Sequence, residues 1–384
     1  MLGPSGFFLY RLTRTIQCCN FSVILLYNNT LIPKSPLGLT GNLYGRTVVA
    51  RSAPGHLARR VLRFNLFYDN RLNEPRRYGG REDRPRERKD GKIMKGLYVA
   101  LVTPFDTDGS LNEAKLRELV HFHIDAGTDG LVPCATTSEN PTYTWEEHFR
   151  IIEIVVEEAK GKIEVMAGCG TNSTTRSIEN IKKAHDLGAD GAMVVTPYYN
   201  KPTQEGLYAH FIKLADEGGM PLMLYNVPGR TGVNMLPSTV SRLAKHENIV
   251  AVKEASGNIE QMAEIVLRCG ETIDLLSGDD NLTFPILAIG GKGVVSVVGN
   301  IVPKDVLAML HAFDRKKLED ARSWHYKLFP LCKAMFIETN PMPVKEAMNL
   351  LGMDVGDVRL PLVRMLPANI ERLRTALVDY GILS

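Results

Sequence analysis

From Leu97 onward, short apolar runs alternate with amphipathic stretches. The runs are Leu97–Thr103, Gly130–Cys134, Ile163–Ala167, Gly191–Thr196, Pro221–Tyr225, Ile249–Lys253, Ile273–Leu276 and Gly293–Val298. They are rich in Val, Ile, Leu and Ala and mostly lack a period of two, as strands buried on both faces do. Between them lie helix patterns, among them Leu111–Ala126, Trp145–Ala159 and Thr174–Leu187. Ser110 before the first and Thr144 before the second are expected caps, the latter with Glu147 three residues on. Gly127, Gly161 and Gly188 are expected to close them.

Eight such units at this spacing predict an α/β fold, a closed (β/α)8 TIM barrel, over 94–316. No G-x-G-x-x-G follows the first run, which counts against a dinucleotide fold. Beyond about Phe313 only helical patterns continue, interrupted by Asn340-Pro341-Met342-Pro343, so 317–384 is expected to be a small C-terminal helical extension packed on the barrel.

Residues 1–93 carry no sustained period and end in the charge run Arg76–Lys92. No Asp or Glu precedes Asp69, while Arg11, Arg14, Arg46, Arg51, Arg59 and Arg60 do. An Arg-rich, acid-poor leader is what a transit peptide looks like. A disordered extension and a mis-assigned start upstream of Met94 are the other readings. Phe21–Tyr27 is too short an apolar run to span a membrane. The whole chain has 384 residues, 44% of them hydrophobic, and a net charge of +3. Because the positive excess belongs to the tail, it implies no nucleic-acid partner. The six cysteines lack zinc-ligand spacing and are expected to be reduced thiols.

In such a barrel chemistry is built at the C-terminal ends of the strands. Lys253 ends an apolar strand, where desolvation lowers the pKa of an amine and frees it as a nucleophile. The bland alternative is an ammonium that reaches solvent or pairs with Glu254. Tyr225 ends the preceding strand and is a candidate proton shuttle. Thr136-Thr137 offer hydroxyls and successive N–H groups for a carboxylate, or form an ordinary helix start. Arg230, in a Pro-Gly-Arg-Thr-Gly turn, is a candidate clamp for a second carboxylate. His121-x-His123 is a poor metal pair, since i and i+2 on a helix point apart. Gly290-Gly291-Lys292-Gly293 precedes a strand, where a phosphate loop would follow one. Asp279-Asp280 lacks a third ligand nearby. Cys134 and Cys169 are expected to be small apolar fillers.

Taken together, Val102-Thr103-Pro104-Phe105, Thr196-Pro197-Tyr198-Tyr199-Asn200-Lys201-Pro202, Tyr225 through Gly232, Val252 through Gly257 and Leu276-Ser277-Gly278-Asp279-Asp280 resemble the dihydrodipicolinate synthase/N-acetylneuraminate lyase family. Tyr-Tyr-Asn and Pro-Gly-Arg-Thr-Gly favour its synthases over its lyases. The resemblance implies that Lys253 forms an imine with pyruvate and that the enamine derived from it adds to aspartate semialdehyde. It further implies a proton relay of Tyr225, Thr137 and Tyr199, the last reaching in from a neighbouring subunit. Thr136 and Thr137 would hold the pyruvate carboxylate, and Arg230 that of the semialdehyde. Gly278 and Val295 are further substrate-binding positions by the same resemblance. Neither a metal nor an organic cofactor is implied, nor a membrane, and the assembly expected is a homotetramer, a dimer of dimers. The compartment expected is the cytoplasm, or a plastid if the leader is genuine.

Two departures stand out. The family usually has Gly-Thr-Thr-Gly-Glu where this chain has Ala135-Thr136-Thr137-Ser138-Glu139, so altered affinity is expected more than lost chemistry. Lysine-sensitive members use a pocket matching Asn140, Trp145, His148, Asn172, Arg176 and Tyr198, with a glutamate at the position of Arg176. A guanidinium there would repel lysine, so weak or absent lysine inhibition is expected. The rival functions are a related aldolase for sialic acid or a 2-keto-3-deoxy sugar acid, and a catalytically silent barrel.

Overall fold

The computed structural model describes residues 94–384 and, separately, a minimal antiparallel pairing of Gln17–Cys18 with Phe21–Ser22. The expectations for the leader otherwise lie outside the described residues. Eight parallel strands close a barrel in chain order: β1 Gly96–Ala100, β2 Gly130–Val132, β3 Glu164–Gly168, β4 Gly191–Val195, β5 Leu222–Asn226, β6 Ile249–Glu254, β7 Asp274–Ser277 and β8 Gly293–Ser296. Seven of the eight fall within two residues of the predicted runs at both ends; β1 starts one residue before its run and ends three residues short of it. Each is followed by a helix: α1 Glu113–Ala126, α2 Trp145–Ala159, α3 Thr174–Asp186, α4 Gln204–Glu217, α5 Pro237–Leu243, α6 Ile259–Cys269, α7 Thr283–Ala288 and α8 Pro303–Asp314. Three more, α9 Leu318–Ala334, α10 Met342–Leu350 and α11 Pro367–Tyr380, form the C-terminal segment.

Capping follows local chemistry. Thr144 and Glu147 form the expected reciprocal box at the start of α2. Ser110 does not cap α1, because its N–H and hydroxyl are taken by Asp108. Asn112 does so instead, accepting from Lys115 N at 2.8 Å. At the end of α2 the left-handed cap is Lys160, one residue before the expected Gly161.

Two apolar layers result. Leu97, Val99, Leu131, Val165, Val194, Leu224 and Val252 pack outward against the helices. Tyr98, Met166, Met193, Met223, Ala251, Leu276 and Val295 fill the barrel interior. At the N-terminal rim, carboxylates tie the strands together: Asp129 accepts from Leu97 N, Asp190 from Val165 N and, across β8, Asp274 from Met94 N, each at 2.8 Å. The opposite rim is thereby left to chemistry.

Between β5 and β6 the register slips. Leu222 faces Ile249, but Met223 faces Ala251, so Val250 is an additional residue. Such a bulge re-aims the side chains that follow it. Tyr225 and Lys253 consequently stand opposite each other in the ladder.

Candidate active site

Lys253 is 4% exposed and lies inside the barrel, with its Nζ 4.2 Å from the centre of the Tyr225 ring. Glu254 points the other way. Its carboxylate accepts from Asn226 Nδ2 at 3.0 Å and Ser256 N at 2.8 Å, outside the barrel, so the sequence-adjacent ion pair does not form. Burial lowers the Lys253 pKa from 10.5 to about 8, aided by Arg230 and opposed by the charges of Asp279 and Asp280. Burial also pushes the Tyr225 phenol up to about 12, against the opposing influence of Arg230 and of the Thr136 side chain beside it.

A cavity of about 690 Å³ reaches the Tyr225 member of this pair, and Thr136 and Arg230 line it with Tyr225. Thr136 and Thr137 begin a turn of 3-10 helix, Thr136–Ser138, whose leading N–H groups are those a helix start leaves unpaired. The two threonines face different ways. Thr136 is the one beside Tyr225. Thr137, expected in that place, instead accepts at its Oγ1 from Asn340 Nδ2 at 3.0 Å. The cause is the tight turn, which sends successive side chains to different sides.

Asn340 carried no chemical expectation, yet it touches two site residues. Its carbonyl also accepts from Arg230 Nη2 at 3.2 Å. The only hint in the sequence was its place in an Asn-Pro turn. Arg230 itself sits on a single helical turn, Pro228–Thr231, closed by Gly232 in the left-handed region.

The remaining expected positions lie off the cavity wall. Val295 is fully buried in the barrel interior with Tyr225 and Leu276. Gly278 packs β7 against the end of β6, where a Cβ would meet Ala255 Cβ at 2.6 Å. Tyr199 is 89% exposed and does not line the cavity. Asp280 is a fastener, accepting from Val297 N at 2.9 Å and Val298 N at 3.1 Å. Among the described residues no cluster of three His, Cys, Asp or Glu side chains could hold a metal. His121 bonds Glu158 on the surface while His123 is buried, as the helical spacing requires. Cys134 and Cys169 are buried, and burial raises both thiols.

The six positions of the expected lysine pocket line the same cavity. Arg176 lies over the Trp145 ring at 4.7 Å and pairs with Glu179 at 3.3 Å. His148 holds Asn140 Oδ1 at 3.0 Å, and burial lowers it to about 4.

The profile of the dihydrodipicolinate synthetase family matches residues 93–378. The chain belongs to that family. It is 55% identical over 291 residues to the 4-hydroxy-tetrahydrodipicolinate synthase of Geotalea uraniireducens, covering 76% of this chain and 100% of that one. Among solved structures it resembles the dihydrodipicolinate synthase of Aquifex aeolicus, at 46% identity and a TM-score of 0.74 over 75% of this chain and 99% of that one. The Cyanidioschyzon merolae enzyme, solved with lysine bound, is 41% identical with a TM-score of 0.74, over 76% of this chain and 100% of that one. The dihydrodipicolinate synthetase family thus accounts for the whole barrel and nearly all of the C-terminal segment.

The lowered Lys253 pKa predicts two linked pH effects. Only the neutral amine attacks a carbonyl, so kcat/KM for a keto substrate rises with pH and levels off above about 8. Because the folded pKa lies below the unfolded one, the unfolded chain binds the extra proton, and the cost to stability is full below pH 8. Lys253→Met is therefore expected to raise Tm at pH 7 and to lose that advantage as pH climbs toward 10.5. Thermal melts of both proteins across that range check it.

Proposed function

We propose that this chain condenses pyruvate with L-aspartate 4-semialdehyde to 4-hydroxy-tetrahydrodipicolinate, the committed entry to lysine and diaminopimelate synthesis, through an imine on Lys253. The observation that carries this reading is the buried amine opposite Tyr225, whose side chain in turn lines a cavity with Thr136 and Arg230. Names borne by its relatives support the same reaction.

The Lys253 nitrogen attacks the keto carbon of pyruvate, and the resulting carbinolamine expels water to give the imine. Loss of a methyl proton yields an enamine, whose carbon forms the new C–C bond with the aldehyde. Tyr225 and the Thr136 hydroxyl next to it carry the protons these steps exchange. The turn at Thr136 and Thr137 holds the pyruvate carboxylate on N–H groups and hydroxyls. Arg230, fixed by the Asn340 carbonyl, takes the carboxylate of the semialdehyde. Gly278 and Val295 support the substrate site from behind, the first by close packing and the second by filling the interior. Lysine itself supplies the electron sink, so the steps call for no metal or organic cofactor.

Tyr199 completes the relay in the site of a second copy. Its exposure and left-handed backbone, φ 71°, fit a side chain presented to a partner. The assembly is a tetramer of two such dimers. The catalytic barrel is assigned to 94–316 and its helical support to 317–384. The compartment is the cytoplasm, or a plastid if the leader is a transit peptide. Among the described residues no helix is long and apolar enough to cross a membrane.

Borohydride with pyruvate is expected to leave a reduced adduct on Lys253, found by peptide mapping and missing from Lys253→Ala. A folded wild-type protein that takes no adduct would end the imine reading. Aspartate semialdehyde is expected to be turned over and sugar aldehydes ignored. Tyr199→Phe and Lys253→Ala, each inactive, are expected to regain up to about a quarter of wild-type activity when refolded together, since half the dimers would be hybrid and half their sites intact. No recovery in proven hybrids would mean that the tyrosine does not act across subunits. Lysine is expected to inhibit weakly or not at all, because Arg176 brings a cation to its pocket. Half-inhibition at sub-millimolar lysine would contradict that.

A further inference from the structure

Between the carboxylate-binding turn and the C-terminal segment lies a pair of opposite charges that the steps above do not use. Glu139 and Lys345 are closed off from solvent, with side chains 0% and 2% exposed and Nζ 3.0 Å from Oε1. Burying two ions is expensive, and neutral side chains of the same shape often serve stability as well. What the pair fixes is therefore more informative than what it stabilises.

Glu139 immediately follows Thr136–Ser138 and occupies the left-handed region, φ 65°, which a residue with a Cβ adopts only when its surroundings hold it there. Its N–H closes the turn on Thr136 O at 3.1 Å. Its second carboxylate oxygen accepts from Arg359 N at 2.8 Å. Lys345 is locked in turn: its Nζ donates to Asp357 O at 2.7 Å and lies 4.2 Å from the Phe105 ring centre. A few residues earlier in the chain, Asn340 holds the Thr137 hydroxyl. The C-terminal segment thus grips the turn both at its middle and at its exit.

We propose that Lys345, acting through Glu139, is a positioning residue that holds the Thr136–Thr137 turn at the height where a bound carboxylate sets its keto carbon against Lys253. This rests on the imine reading above. Loosening the exit of the turn displaces the carboxylate site without touching the amine, so capture of pyruvate suffers while the lysine stays competent.

The test uses Lys345→Met, Glu139→Gln and the double variant in the full chain. It measures the pyruvate concentration for half-maximal borohydride trapping on Lys253, pyruvate KM and kcat, and Tm. Half-saturating pyruvate is expected to rise about tenfold in all three, the scale of a small misplacement of a substrate-holding group. The double variant, freed of an unpaired buried charge, is expected to recover the Tm lost by Lys345→Met but not the affinity for pyruvate. Glu139→Gln leaves only a lysine that can shed its proton, and with the double variant it decides the matter if Lys345→Met does not fold. Half-saturating pyruvate within about twofold of wild type in the folded variants, whatever their Tm, would overturn the proposal. Failure of the wild type to trap pyruvate would remove the imine reading, and this one with it.

Discussion

An amine kept dry at the end of a barrel strand sets the terms for everything around it. Water stabilises an ammonium, so a nucleophilic lysine needs an interior that withholds water and does not replace it with a tight counter-ion. Here the closed sheet supplies the dryness, and the turned-away Glu254 leaves the amine without an adjacent carboxylate. Asp279 and Asp280 pull in the opposite direction, and Asp280 is already engaged by Ser296 and two backbone N–H groups. The outcome is an amine whose proton leaves near pH 8, within reach of working conditions.

That constraint reaches back to the β5–β6 ladder. Strand residues alternate sides, so a one-residue slip would set Lys253 opposite Asn226 rather than Tyr225. The extra residue at Val250 corrects the phase, and Ala251 and Lys253 then share the interior with Met223 and Tyr225. Strand ends alone would not bring the phenol over the amine. The bulge does so, at the cost of one irregular pairing in an otherwise regular barrel.

Much of this was legible in the pattern of residues. Buried parallel strands leave continuous apolar runs, and the eight runs locate the strands because nothing in a closed barrel competes with that signal. Lys253, Tyr225 and Arg230 stood out as polar residues ending such runs or following them closely. What could not be read was direction. Whether Thr136 or Thr137 faces Tyr225 depends on the pitch of a three-residue turn, which no period encodes. Asn340 and Lys345 were equally silent, since their importance comes from packing that joins residues some two hundred positions apart. Ser110 failed as a cap because Asp108 competed for it locally.

The two missing glycines of the Thr136–Thr137 turn gain a physical account from the same geometry. Glycine is favoured where φ is positive, and around this turn those positions are Cys134, φ 56°, and Glu139, φ 65°. Ala135 is extended, with φ −91°, and Ser138 lies within the right-handed turn, so neither pays a backbone penalty for its Cβ. Ser138 also earns its place: its hydroxyl donates to Leu101 O at 2.7 Å and accepts from Ala135 N at 3.2 Å. A glycine at 138 would leave both backbone groups without that bridge. The serine ties the turn to the end of β1 on one side, while Glu139 and Lys345 tie it to α10 on the other. The substitution therefore belongs with the devices that stiffen the turn, and the two threonines it carries are held from both flanks.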